Sequence, residues 1–228
     1  MSIAQQLLIL IPIGYVLGSV PFGLIVGLAK GIDPRKAGSG NIGATNIGRL
    51  LGGRFFAIVF TLDFLKGLLP TLAASWVVHR AAGSLNSGVY LLWIAVGFAG
   101  ILGHMFSVFL KFKGGKGVAT SAGVMLGVFP DYTLAAVAVM AVFAICFALW
   151  RTVSLGSIVA SASFPILYVA VCLLRGQLVL GERWPLLAFC VLVSLMVVWK
   201  HRSNIARLRA GTEPRTIGNR PKSPTIQS

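Results

Sequence analysis

Carboxylates are scarce in this chain: five Asp and Glu stand against twenty Lys and Arg. Asp33, Asp63, Asp131, Glu182 and Glu213 are scattered, and so are the three histidines, so no metal-ligand spacing exists. Neither a metal nor any other cofactor is expected. Cysteine is sparser still, with three. Cys146, Cys172 and Cys190 all fall in apolar segments and read as buried free thiols, silent about redox compartment. No Lys or Arg precedes the first apolar run, which therefore lacks the charged n-region of a secretory signal peptide. No internal repeat of the kind frequent in membrane carriers is found, which argues against transport.

What the chain has in quantity is apolar length. It is 57% hydrophobic and 11% charged over 228 residues, with a mean hydropathy of +0.88, the composition of a polytopic membrane protein. The formal net charge of +15 first suggests nucleic acid. The cations, however, sit in short loops and the C-terminal tail, where anionic headgroups and phosphorylated substrates are the better match. No nucleic-acid partner is expected.

Seven spans are predicted, at residues 3–28, 55–78, 90–110, 118–129, 132–150, 154–174 and 184–199, the fourth being short. Pro12, Gly14, Gly18 and Pro21 interrupt the first. Lys30, Arg35 and Lys36 follow it, so the positive-inside rule puts the N-terminus outside and the C-terminus in the cytoplasm. With that threading, sixteen of the twenty basic residues face inward. Asp63 and Lys66 lie within the second span at i, i+3 spacing; mutual pairing and a functional role both remain open. His79 reads as interfacial.

Three polar patches fall on the same, inner side. In residues 37–49, Gly38, Gly40 and Gly43 spell G-x-G-x-x-G. The nucleotide reading fails, because the motif needs a preceding strand and here follows a membrane span. What remains is a loop of small residues carrying Ser39, Asn41, Thr45 and Asn46 beside a cation, Arg49. Residues 111–120 hold Lys111, Lys113, Lys116, Gly114, Gly115 and Gly117, which together read as a phosphate cradle. His104 lies a few residues upstream. In the tail, His201, Asn204 and Arg207 fall on one helical face ahead of Glu213. Residues 1–213 form the membrane domain, and residues 214–228, rich in Pro, Ser and Thr, read as a disordered tail.

The strings GSGNIGATNIGR (38–49), GHMFSVFLKFKGGKGVAT (103–120) and HRSNIARLRAGTE (201–213), with the shorter RTVSLGS (151–157), make the chain resemble the bacterial acyl-phosphate:glycerol-3-phosphate acyltransferases. The likeness runs through Glu213. Ser107 departs from it, since the family usually has proline there. The resemblance implies an all-α inner-membrane enzyme of phospholipid synthesis, acting at the cytoplasmic face as a monomer. Its expected reaction joins a fatty acyl group from acyl-phosphate to the 1-hydroxyl of glycerol 3-phosphate. By motif matching, Ser39, Arg49, Lys111, His201 and Asn204 would be catalytic. Asn41, Thr45, Asn46, His104, Lys113, Lys116, Ser154, Arg207 and Glu213 would bind substrate, with Gly114, Gly115 and Gly117 cradling the acyl-phosphate. Positioning and oxyanion stabilisation would carry the catalysis. His104, His201 and a substrate phosphate all remain candidates for the base.

Overall fold

The computed structural model describes residues 1–80 and 85–215. Ten α-helices build the described chain: α1 (Ile3–Ser19), α2 (Phe22–Ala29), α3 (Ala44–Leu51), α4 (Gly53–His79), α5 (Ser87–Met105), α6 (Val118–Gly127), α7 (Thr133–Trp150), α8 (Val153–Leu174), α9 (Trp184–Lys200) and α10 (Arg202–Arg209). A 3-10 turn, Val108–Leu110, follows α5. Most of the expected tail, residues 216–228, lies outside the described residues, as do residues 81–84 of the expected outer turn.

Among the described residues, five stretches are long and apolar enough to cross a membrane: Ile3–Ala29, Gly53–His79, Ser87–Leu110, Thr133–Trp150 and Val153–Leu174. Helices α9 and α10, bent by 58° at their junction, make a sixth if counted together. The expected fourth span is α6, with ten residues. At 1.5 Å per residue it reaches about 15 Å, half the thickness of a hydrocarbon core.

The first span is broken where its sequence is. Pro21 has no N–H to donate, so α1 stops at Ser19 and α2 restarts at Phe22. Lys66 Nζ reaches the Val20 carbonyl at this break, at 2.8 Å, and also meets Asp63 Oδ1 at 2.7 Å. Both buried ionisable groups of α4 are thereby partnered, as an apolar surrounding demands. Elsewhere small residues let backbones touch. Gly103 of α5 lies against Tyr15 and Gly18 of α1, and Gly123 of α6 against the Phe64 carbonyl of α4, approaches that any side chain would block.

Helices α7, α8 and α9 meet around Tyr132. Its ring stands edge-on to Phe164 and Tyr168 at 5.2 Å and stacks on Phe189 at 6.0 Å, while its hydroxyl donates to the Leu186 carbonyl at 2.5 Å. Beyond this cluster Asp131 pairs with Arg183. At the other end of the bundle Lys200 Nζ donates to the Met105 carbonyl at 2.8 Å and caps the Phe106 ring at 4.2 Å, drawing α9 onto α5. The polar loops gather at that second end.

Candidate active site

The loop before α3 is held from within by one side chain. Asn46, fully packed, turns Nδ2 toward the carbonyls of Pro34, Ala37 and Asn41 at 2.8–3.1 Å and accepts the Ser39 N–H on Oδ1 at 2.9 Å. Asn41 Oδ1 in turn accepts the Gly43 N–H at 2.8 Å. The loop is therefore pre-shaped, and Ser39, Asn41 and Thr45 line a cavity of about 280 Å³. Arg49, one turn along α3, enters the same cavity with Nε buried and unpartnered.

Two further elements bring the remaining charge. Lys116 hydrogen-bonds Asn204 Oδ1 of α10, and Asn204 Nδ2 donates to Glu213 Oε1 at 2.6 Å. Ser154 Oγ at the start of α8 donates to that oxygen at 2.8 Å, and Arg207 Nε to Glu213 Oε2 at 2.7 Å. Glu213 thus ties the C-terminal segment to α8 and α10. Burial alone would raise its pKa, but the hydrogen bonds from Asn204, Ser154 and Arg207 prevail and hold it below the usual carboxylate value. Burial, with Arg207 and Arg49 close by, brings the Lys116 ammonium down to about 8, Glu213 pulling the other way. His201 Nδ1 lies 2.7 Å from the Val197 carbonyl. A carbonyl only accepts, so Nδ1 carries the proton and Nε2 is left as an acceptor.

The start of α6 adds backbone donors. The Ser121 N–H makes the first bond of this helix, to the Gly117 carbonyl at 2.7 Å, so the N–H groups of Val118 and Ala119 lie ahead of its hydrogen-bond ladder. Both residues line the cavity, and a helix N-terminus favours anions. Gly117, with φ of 83°, makes the left-handed step that aims this end inward. On the opposite wall Phe56, Phe60 and Asp63 of α4 face in, with His104 of α5 beside them, its Nδ1 3.6 Å from Asp63 Oδ1.

A second cavity, about 270 Å³ and almost wholly apolar, adjoins the first. Phe60, Val118, Phe143 and Ser157 line both. One site thus has a cationic, donor-rich head and an apolar groove, the two halves of a phosphorylated amphiphile.

The sequence profile described as Glycerol-3-phosphate acyltransferase matches residues 8–211. This chain belongs to the glycerol-3-phosphate acyltransferase family. Within that family the Geobacter sulfurreducens protein is 46% identical over 210 residues, 91% of this chain and 96% of that one. The Aquifex aeolicus protein is 40% identical over 214 residues, 92% and 100% of the two chains. Crystallographic comparison agrees. PlsY (YgiH), an integral membrane glycerol 3-phosphate acyltransferase, matches in its glycerol 3-phosphate form with a TM-score of 0.78 and 38% identity, over 92% of this chain and 95% of that one. Its lysophosphatidic acid form matches with a TM-score of 0.75 and 37% identity over the same shares.

In this family member the cavity gathers Ser39, Asn41, Thr45, Asn46, Arg49, His104, Lys116, Gly117, Ser154, His201, Asn204 and Glu213 from all the motifs. Lys111 and Lys113 are exposed and do not line it. Arg207 is absent from the lining too, and acts on the cavity through Glu213. The cradle expected of Gly114 and Gly115 needs correction. Their N–H groups donate to the carbonyls of Met105, at 3.2 Å, and His104, at 3.0 Å, and are not free for a phosphate. A Cβ on Gly115 would run into the His104 ring, so this glycine is there for close packing. Sequence reasoning missed the α6 N-terminus as the donor array, and left Asp63 undecided. A signal for the α4 wall did exist, since Phe56, Phe60 and Asp63 follow i, i+4, i+7 spacing.

Proposed function

We propose that this protein transfers a fatty acyl group from acyl-phosphate to the 1-hydroxyl of glycerol 3-phosphate, yielding lysophosphatidic acid and inorganic phosphate. The observation that carries this reading is the continuity of the cationic cavity with the apolar groove through Phe60, Val118, Phe143 and Ser157. A donor with its tail in the groove would hold its phosphate at the Val118 and Ala119 N–H groups and Lys116, the nearest anion-binding elements. Ser39, Asn41, Thr45 and Arg49 would then hold glycerol 3-phosphate, while His201, Asn204 and Glu213 fix Lys116 and the far wall.

In the reaction the 1-hydroxyl oxygen forms a bond to the acyl carbon, and the bond from that carbon to the phosphate oxygen breaks. The hydroxyl proton goes to a phosphate oxygen, whose second pKa of about 6 leaves it basic at neutral pH. An acyl-phosphate already carries a good leaving group, so no covalent enzyme intermediate is needed. Catalysis then consists of alignment plus stabilisation of the tetrahedral oxyanion by N–H and ammonium donors.

The reading extends to a seven-span protein of the bacterial inner membrane, N-terminus outside, with α6 as the short fourth span and the active site on the cytoplasmic face. The distribution of basic residues supports it. Purified protein incubated with hexadecanoyl-phosphate and glycerol 3-phosphate should release lysophosphatidic acid and phosphate in equal amounts. Turnover with acyl-CoA alone would keep an acyltransferase and overturn the donor.

A further inference from the structure

Among the described residues three lysines are sheltered from solvent, and each meets a different kind of partner. Lys66 is ion-paired to Asp63, and Lys200 donates to the Met105 carbonyl. Lys116, half-buried, lines the cavity and rests on the side-chain amide oxygen of Asn204. An amide oxygen accepts from a neutral amine as well as from an ammonium, so this contact survives loss of the proton. Glu213, the carboxylate of the same wall, is held by Asn204, Ser154 and Arg207. Arg49 from α3 and Arg207 from α10 oppose a further positive charge here, with His201 beside them. Asp63 and His104 face in from the opposite wall.

A nucleophile therefore sits where an activated acyl group would arrive. With the nitrogen about 2.9 Å from the bridging oxygen of an acyl-phosphate, the acyl carbon one bond away falls roughly 3–3.5 Å off, within attack range. The ammonium has no lone pair to attack with. Its pKa of about 8, however, leaves about one Lys116 in ten as the free amine at pH 7, against about one in 2,500 for an unperturbed lysine. Lys111 and Lys113 are exposed and stand outside the cavity, so nothing holds an acyl carbon against them.

We infer that Lys116 is a self-acylation site: when a donor is bound and glycerol 3-phosphate is lacking, its Nζ takes the acyl group and the enzyme inactivates itself. This rests on the acyl-phosphate reading above. In the step, the Nζ lone pair forms a bond to the acyl carbon, and the bond from that carbon to the phosphate oxygen breaks. One amine proton leaves with the phosphate. The products are an N-acyl lysine and inorganic phosphate, and no further reactant is needed. An amide does not hand its acyl group on to a hydroxyl, so the adduct lies off the reaction path. It also removes the cation and leaves an acyl chain tethered in the cavity. A shortage of acceptor is thereby recorded as lost activity.

The test incubates the full-length protein in nanodiscs with hexadecanoyl-phosphate and no glycerol 3-phosphate, then reads intact mass and maps peptides. An acyl group should appear on Lys116, with Lys111 and Lys113 labelled at least about tenfold less. Residual activity should fall in step with that adduct. Its rate of formation should rise about tenfold between pH 7 and pH 9 and then level off, as the amine fraction does. Saturating glycerol 3-phosphate, with donor still in excess, should slow it at least about tenfold. Lys116→Arg should carry no acyl group at that position, whereas Lys111→Arg combined with Lys113→Arg should still label at Lys116. Adduct spread equally over the three lysines would show solution chemistry only and overturn the inference. So would an unmodified Lys116 in protein that forms lysophosphatidic acid from the same donor. If the unaltered protein formed no lysophosphatidic acid from hexadecanoyl-phosphate, the acyl-phosphate reading itself would fall, and self-acylation with it.

Discussion

Three lysines within six positions look equivalent in sequence, yet only one reaches the cavity. Lys111 and Phe112 both take left-handed backbone angles, φ of 51° and 63°, at the end of the 3-10 turn, and that turn sends Lys111 and Lys113 outward. Side-chain type was legible at these positions; direction was not, because it depends on backbone angles non-glycine residues seldom adopt. The structure therefore moves weight from Lys111 to Lys116. Replacing Lys116 with alanine should cut kcat/KM by about 100-fold or more, as loss of one strong donor does, while Lys111→Ala should stay within about threefold of the unaltered protein. The same residue sets a pH limit. A lysine lowered to about 8 is charged below that pH and neutral above it, so kcat/KM should decline as pH rises through about 8. Lys116→Arg, which stays charged, should lose that alkaline limb even if its overall rate is lower. An alkaline limb unchanged in Lys116→Arg would remove Lys116 from the titration.

Helix α6 carries the largest difference between expectation and structure. Glycine-rich sequence beside lysine suggested that Gly114 and Gly115 open the backbone to a phosphate; instead their N–H groups close onto the end of α5. A glycine required for close packing and one required for ligand approach look the same in a sequence, since both need only the missing Cβ. The two roles separate experimentally. Gly115→Ala drives a methyl into the His104 ring, an overpacking that costs about 1–3 kcal/mol and lowers the melting midpoint by about 2–4 °C for each of them. The KM values for donor and acceptor should then shift together. A stably folded Gly115→Ala protein with only its donor KM raised would restore the cradle. By contrast, the α3 loop was readable: Ser39, Asn41, Thr45 and Arg49 line the cavity, and Asn46, expected at the ligand, also proves to be the internal brace of the loop.

At the scale of the molecule, the all-helical architecture and the meeting of three distant motifs at one end of the bundle were legible, because apolar length and basic-residue placement are compositional signals. Residues 118–129 were harder. Hydropathy reports that a segment is apolar but not that Pro130 and Gly117 bound a helix of ten residues. Threading can be checked directly. In a background lacking Cys146, Cys172 and Cys190, Arg175→Cys should react with an impermeant thiol reagent on intact cells, and Lys113→Cys only after permeabilisation. Both positions are exposed, so the reagent's side of approach decides the result. Reaction of Lys113→Cys on intact cells would overturn the orientation.

The apolar groove that adjoins the cationic cavity also changes what concentration means for this protein. One reactant would arrive by diffusion in a plane and the other from a volume, so the two searches answer to different dilutions. Adding inert phospholipid would thin the first supply without touching the second, and adding buffer would do the reverse. On that view, lipid synthesis slows as the membrane area around each enzyme grows, and quickens when acyl donor crowds the sheet. The rate would then respond to the surface that its own product goes on to enlarge.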